Sequence, residues 1–167
     1  MKTIANNEVG YLDLTIELIG SGVIPVFDMD EVIADATHRQ ILNPDGSLNL
    51  VEYRKKSTRE HIEKDKPLPL IEVAQFLTKR GIPFYLCTAR VVCEPTREWL
   101  ARHDVKPTGI FCRDGETDTR KDWKLKVDKL AAAFNRAERK NMMLIDDNLQ
   151  NCQAVEKIGM QAIRVEV

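Results

Sequence analysis

From Val23 onward, short apolar runs alternate with longer amphipathic segments, the pattern of a parallel sheet whose strands are joined by crossover helices. Strands are expected at Val23 to Phe27, Pro83 to Cys87, Gly109 to Cys112, Met142 to Ile145 and Gln161 to Val165. Between them, Leu70, Val73, Ala74 and Leu77 recur at helical spacing, and Gly81 supplies the stop. Thr96 to His103 and Asp122 to Ala137 carry further helical stripes. Asn148 stands as the cap of a last helix that Gly159 ends. The fold class this predicts is α/β, a three-layer α/β/α sandwich around a mostly parallel sheet with right-handed crossovers.

Two stretches do not follow the alternation. In residues 11–19, Leu12, Leu14, Ile16 and Leu18 alternate as a strand would, while Val9, Leu12, Ile16 and Ile19 make a helical stripe; both readings stay open. Residues 1–22 are taken as an N-terminal extension that pairs at a sheet edge, packs on another subunit or frays, ahead of a domain at 23–167. From about 40 to 66, the turn residues Asn43-Pro44-Asp45-Gly46 and a polar helical segment are inserted after the first strand, as a small helical cap.

At 167 residues and 19.1 kDa the chain is one domain with a real core. Lys+Arg 25 against Asp+Glu 26 leaves a net charge of −1, so no global positive field gathers nucleic acid or anionic membrane. Any nucleic-acid contact must be local. No apolar run nears membrane-spanning length, and MKTIANNEVG lacks a secretory pattern, so a cytoplasmic location with reduced thiols is expected. Cys87, Cys93, Cys112 and Cys152 show no C-x-x-C pair, which favours neither zinc nor a disulfide framework.

The chemistry lies just beyond the strands, where open parallel sheets bind their ligands. Asp28 and Asp30 follow the first strand, Thr88 and Arg90 the second, Arg113 the third, and Asp146 and Asp147 the fourth. Four converging carboxylates repel unless a cation neutralises them, and an all-oxygen set suits Mg²⁺. Such a site fits phosphoryl transfer. Residues i and i+2 of an extended chain share a face, so Asp28 and Asp30 can address one phosphate, the first as nucleophile and the second as acid/base. An Asp-x-Asp alone is as often a turn or helix cap; the second acidic pair tips the balance.

These residues match a family. Val26-Phe27-Asp28-Met29-Asp30-Glu31-Val32-Ile33 resembles the first motif of the haloacid dehalogenase superfamily of phosphohydrolases, with Thr88 similar to its second motif and Asp146-Asp147 to its fourth. Asp118-Thr119-Arg120-Lys121-Asp122-Trp123-Lys124-Leu125-Lys126 is similar to a segment of bacteriophage polynucleotide kinase phosphatase domains. That likeness selects Lys126 as the motif lysine over Lys121, Lys124 and Lys129, and it implies that Arg39 and Arg90 contact substrate. Arg113 is counted with them, a surface salt bridge being its alternative. Two departures stand out: Glu31-Val32 replaces the usual Gly-Thr, and no phosphate loop of a kinase half occurs.

The resemblance implies a Mg²⁺-dependent phosphomonoesterase working through an aspartyl-phosphate, with Asp28, Asp30, Thr88 and Lys126 catalytic. The metal set is Asp28, Asp30, Asp146 and Asp147. The implied substrate is a 3′-phosphate on a nucleic-acid end. A nucleoside monophosphate is the alternative, and a module that binds phosphorylated ends without turnover is the non-enzyme reading; no membrane partner is expected. The run Arg54-Lys55-Lys56…Arg59 reads as a solvated helix face, and His38, His61 and His103 are assigned no role.

Overall fold

A computed structural model describes residues 1–45 and 48–166. Among these, six strands form one fully parallel sheet in the order β1-β8-β7-β2-β5-β6. The strands are β1 (Lys2–Ala5), β2 (Ile24–Phe27), β5 (Tyr85–Cys87), β6 (Gly109–Phe111), β7 (Met142–Asp146) and β8 (Gln161–Glu166). The central strands are buried on both faces and therefore read as unbroken apolar runs; every residue of β7 is buried.

Period-two alternation divides their side chains between two cores. Phe27, Leu86, Met143, Ile145 and Ile163 pack beneath α1 (Glu8–Ser21), α4 (Ile71–Arg80) and α5 (Glu94–Arg102), where Leu14, Leu77 and Trp99 complete the layer. Val26, Cys87, Leu144 and Ala162 pack on the other face with Leu130 of α6 (Asp122–Ala133) and Cys152 and Val155 of α8 (Leu149–Lys157). Gly81 and Gly159 end α4 and the turn after α8 at positive φ, as their positions in the sequence suggest.

Residues 1–22 build β1 and α1. β1 adds to the sheet edge in parallel with β8, pairing Lys2 with Ile163 and Ile4 with Val165. Residues 11–19 are helical, yet the stripe Val9, Leu12, Ile16 and Ile19 faces solvent; Gly10, Leu14 and Leu18 are the buried face. A Cβ on Gly10 would lie 1.7 Å from the Ala5 carbonyl oxygen, so only glycine lets α1 fold back so closely on β1.

The helix expected through Ala137 stops at Ala133. Asn135 opens α7 (Arg136–Arg139) with a capping box, its side chain accepting from the Glu138 amide while Glu138 accepts from the Asn135 amide.

The insertion is two short helices, α2 (Leu50–Lys55) and α3 (Arg59–Ile62), rather than one. Its base is closed by β3 (Ala34–Asp35) pairing antiparallel with β4 (Lys66–Pro67). Of the expected turn, Gly46 lies outside the described residues. Arg54 is not part of a solvated face: it donates to the Asp118 carbonyl at 2.7 Å and also to that of Glu116, tying α2 to the loop before α6.

Candidate active site

β2 sits between β7 and β5, so the ends of these three strands converge. Asp28 therefore stands between Asp146, which ends β7, and Thr88, which follows β5. Single carboxylate oxygens of Asp28, Asp146 and Asp147 lie within 4.8 Å of one another. Lys126, fully buried on the second turn of α6, reaches across to them: its ammonium is 2.7 Å from Asp28 Oδ2 and bonds Asp146 Oδ2. Asp146 is further held by the Asn148 amide at 2.9 Å and by Asn151 Nδ2 at 3.0 Å.

Asp30 points elsewhere. Its carboxylate takes a 2.7 Å hydrogen bond from Tyr53 of the cap and is gripped by Arg90 through Nε at 2.8 Å and through Nη2. It is thus not part of the three-carboxylate cluster, in contrast to the four-ligand set read from the sequence. The chain escapes from Asp30 through Glu31, whose φ of 60° is left-handed. The superfamily's customary glycine belongs at this position, and a non-glycine residue there costs about 1 kcal/mol. The turn is closed by the Ala34 amide donating to Met29 O at 2.9 Å.

The three arginines have distinct fates. Arg90 links Asp30 to Asp65, 3.0 Å from its Nη2, while its Nη1 is buried without a partner among the described residues. Arg39 is fully buried and its fork is spent on Asp65, with both bonds at 2.8 Å, and its guanidinium lies 4.8 Å from the centre of the Tyr53 ring. It does not reach the cleft. Arg113 donates to the carbonyls of Ala89, Asp118 and Arg120 and to Asp122 Oδ1 at 2.6 Å, so it braces the loop before α6. Thr88 is buried, and its hydroxyl accepts from the Arg90 amide at 3.2 Å.

Burial pushes the Asp28 carboxyl well up against the pull of Lys126, and the charges of Asp146, Asp147 and Asp30 add to the rise. Burial, with Asp146 beside it, lifts Asp147 to about 6. Lys126 is also raised, from a different balance: burial alone would lower it, but Asp146 and Asp28 hold it firmly protonated. Burial would also raise Asp30, yet Arg90 overrides it and keeps that group below the usual range. The three carboxylates of Asp28, Asp146 and Asp147 against Lys126 leave two negative charges at an oxygen-rich site when all are ionised, which fits one hard divalent cation.

The cleft over these groups has a cavity volume of about 140 Å³ and opens to solvent at its mouth. The cap supplies Leu48, Leu50 and Tyr53 as its roof, with Gln40 and Glu31 at one side; Glu31 accepts from Gln40 Nε2 at 3.1 Å. Asp122 and Asn151 come from the first turns of α6 and α8, whose N-termini favour anionic ligands. Tyr53, Asp65, Asn151 and Asp122 were not singled out from sequence. Asn151 alone carried a signal, three residues beyond the cap Asn148 on the first turn of α8.

Solved structures with this architecture define the class. The chain matches a haloacid dehalogenase-like hydrolase from Streptococcus pneumoniae with a TM-score of 0.63, 14% identity and coverage of 86% of this chain and 84% of the other. A HAD-superfamily hydrolase from Ehrlichia chaffeensis matches with a TM-score of 0.53, 14% identity and coverage of 84% and 86%. A chain of the Pnkp1/Rnl/Hen1 complex gives 0.61 at 18% identity, over 86% of this chain and 47% of that one, so this protein spans about half of that relative. No curated protein matches the chain. The fold is that of haloacid dehalogenase-type phosphatases. Within that class, residues 19–167 match the bacteriophage T5 5′-deoxynucleotidase family, and the chain belongs to it. No described helix is long and apolar enough to cross a membrane.

Proposed function

We propose that this protein hydrolyses deoxynucleoside 5′-monophosphates, with Asp28 as nucleophile and Asp30 as general acid and base. The observation that carries the reading is the roofed cleft over Asp28. It is closed by Leu48, Leu50 and Tyr53, and among the described residues its own lining holds no lysine or arginine along which a polynucleotide backbone would track. Membership of a 5′-deoxynucleotidase family supports the same substrate. Release of 3′-phosphates from nucleic-acid ends is the second reading: it rests on likeness to a chain of which this protein spans about half, and Arg54, Arg90 and Arg113 line a groove beside the cleft.

Each residue's part follows from its position. Asp28 attacks phosphorus and forms an aspartyl-phosphate as the bond to the sugar oxygen breaks; that oxygen takes a proton from Asp30, which must first gain it from solvent against the hold of Arg90 and Tyr53. Asp30 then takes a proton from the water that attacks the aspartyl-phosphate, freeing phosphate and restoring Asp28. Tyr53 and Arg90 aim Asp30, while Lys126 and Thr88 face the phosphoryl oxygens. Mg²⁺ held by Asp28, Asp146 and Asp147 would neutralise charge on the transferring group.

The test is phosphate release, with Mg²⁺, from deoxynucleoside and ribonucleoside 5′-monophosphates, a 3′-phosphorylated and a 5′-phosphorylated oligonucleotide, each with Asp28→Asn as control. Fastest turnover of the deoxynucleotides is expected. Preference for the 3′-phosphorylated oligonucleotide transfers the assignment to end processing, and no hydrolysis by either protein leaves a binding module.

A further inference from the structure

The cleft opens into two side grooves, and a nucleotide whose phosphate sits at Asp28 must place its base in one of them. One groove runs between α2 and the β5–α5 and β6–α6 loops, where Tyr53, Val91 and Cys93 are interleaved with the charged Arg54, Arg90 and Arg113. The other shares Leu48, Leu50, Asp122, Asn148 and Asn151 with the cleft and adds Lys121, Trp123 and Gln150.

Resting on the nucleotidase reading, we propose that this second groove is the nucleobase subsite, with Trp123 as its stacking surface and Gln150 as its polar reader. A planar base needs apolar walls and a few amide groups at its edge, and this groove offers both: aliphatic Leu48 and Leu50 from the cap, the half-buried indole of Trp123 on α6, and an amide from Gln150 on α8. Base stacking on an aromatic ring tolerates every base, whereas an amide both donates and accepts.

Two features of the groove call for a ligand. The indole Nε1–H of Trp123 is buried and, among the described residues, has no hydrogen-bond acceptor, a rare condition. Trp123 also sits one residue after Asp122, which lines the phosphate cleft, so one helical turn carries both the wall of the reactive site and the wall of the groove. Sugar and base can then extend from Asp28 along a single continuous surface beneath the cap.

Two measurements decide it. The first is the ratio of kcat/KM for a deoxynucleoside 5′-monophosphate to that for 2-deoxyribose 5-phosphate, which has no base. Trp123→Ala is expected to lower this ratio about tenfold or more and Gln150→Ala about threefold, while Trp123→Phe, which keeps a stacking ring, holds it near the wild-type value. The second is tryptophan fluorescence of Asp28→Asn titrated with the same nucleotide. Trp99, the other tryptophan, is buried at 1% exposure, so quenching is expected and is expected to vanish when Trp123→Phe is added. A ratio unmoved by Trp123→Ala and Gln150→Ala, or quenching undiminished by Trp123→Phe, overturns the subsite. If the wild type hydrolyses neither compound, the nucleotidase reading fails alone, and nucleotide quenching that depends on Trp123 still establishes the groove.

Discussion

Lys126 Nζ stands 2.7 Å from Asp28 Oδ2, fully buried, and the same ammonium bonds Asp146. One cation thus spans the ends of two neighbouring strands, at the point where the sheet brings β2 and β7 together. Removing it leaves buried carboxylates uncompensated, and a buried pair broken on one side costs about 3–5 kcal/mol. Lys126→Met should lower the unfolding free energy by that amount and reduce kcat by about 100-fold or more. Urea melts and steady-state rates on the same preparation check both; a stable variant with near-normal kcat would remove Lys126 from the site.

The carboxylate cluster predicts a pH-dependent response to Mg²⁺. Asp147 is raised to about 6 and Asp28 is raised as well, both chiefly by burial. An acid whose pKa is higher folded than unfolded adds stability below its unfolded value of about 4, and that contribution is lost as pH rises through about 6. Above that, the charged cluster needs a cation. The rise in Tm on adding Mg²⁺ should therefore be larger near pH 7.5 than near pH 5, as calorimetry at several pH values would reveal. A Mg²⁺ effect equal at both would contradict this account.

Tyr53→Phe removes one hydrogen bond from Asp30 and little else. Arg90 still holds that carboxylate, so the fold should lose about 1 kcal/mol. The Tyr53 hydrogen bond favours the charged form, so its loss lets the Asp30 pKa rise. The acidic limb of the pH–rate profile should move to higher pH, with kcat down several-fold. An unmoved limb would mean that Asp30 does not govern it.

Asp65 binds both Arg39 and Arg90 from the base of the cap, and its carbonyl accepts from Trp99 Nε1 at 2.9 Å. Asp65→Ala leaves two buried guanidiniums without their shared partner, and a loss of about 3–5 kcal/mol is expected. Arg90 would then aim Asp30 poorly, so activity should fall although Asp65 touches no substrate. Chemical denaturation and kcat of Asp65→Ala beside Asp65→Asn test this; wild-type stability in both variants would show the network to be dispensable.

Much was legible along the chain where local pattern is sufficient. The strands β2, β5, β6, β7 and β8 announce themselves as apolar runs because burial on both faces removes any need for polar alternation. Asp28, Asp30, Thr88, Asp146 and Asp147 could be nominated because strand ends in a parallel sheet point one way. α1 was not decided, since Leu12, Leu14, Ile16 and Leu18 alternate as in a strand while Val9, Leu12, Ile16 and Ile19 make a helical stripe, and that stripe is the exposed face. The break at Phe134 was missed because apolar spacing runs through it, while the capping box at Asn135 and Glu138 restarts the helix.

The sequence by itself determined the class of fold and the acidic inventory at its strand tips, because both depend on short-range order of residue types. Only the tertiary structure decided the partners. Arg39, Arg90 and Arg113 are indistinguishable as arginines near an acidic site, yet one is consumed by Asp65, one aims Asp30 and one braces a loop. Their partners lie 26, 60 and 9 residues away in the chain. A guanidinium binds whichever carboxylate or carbonyl the packed fold brings to it, and that choice is made in space, by the cap closing over the sheet.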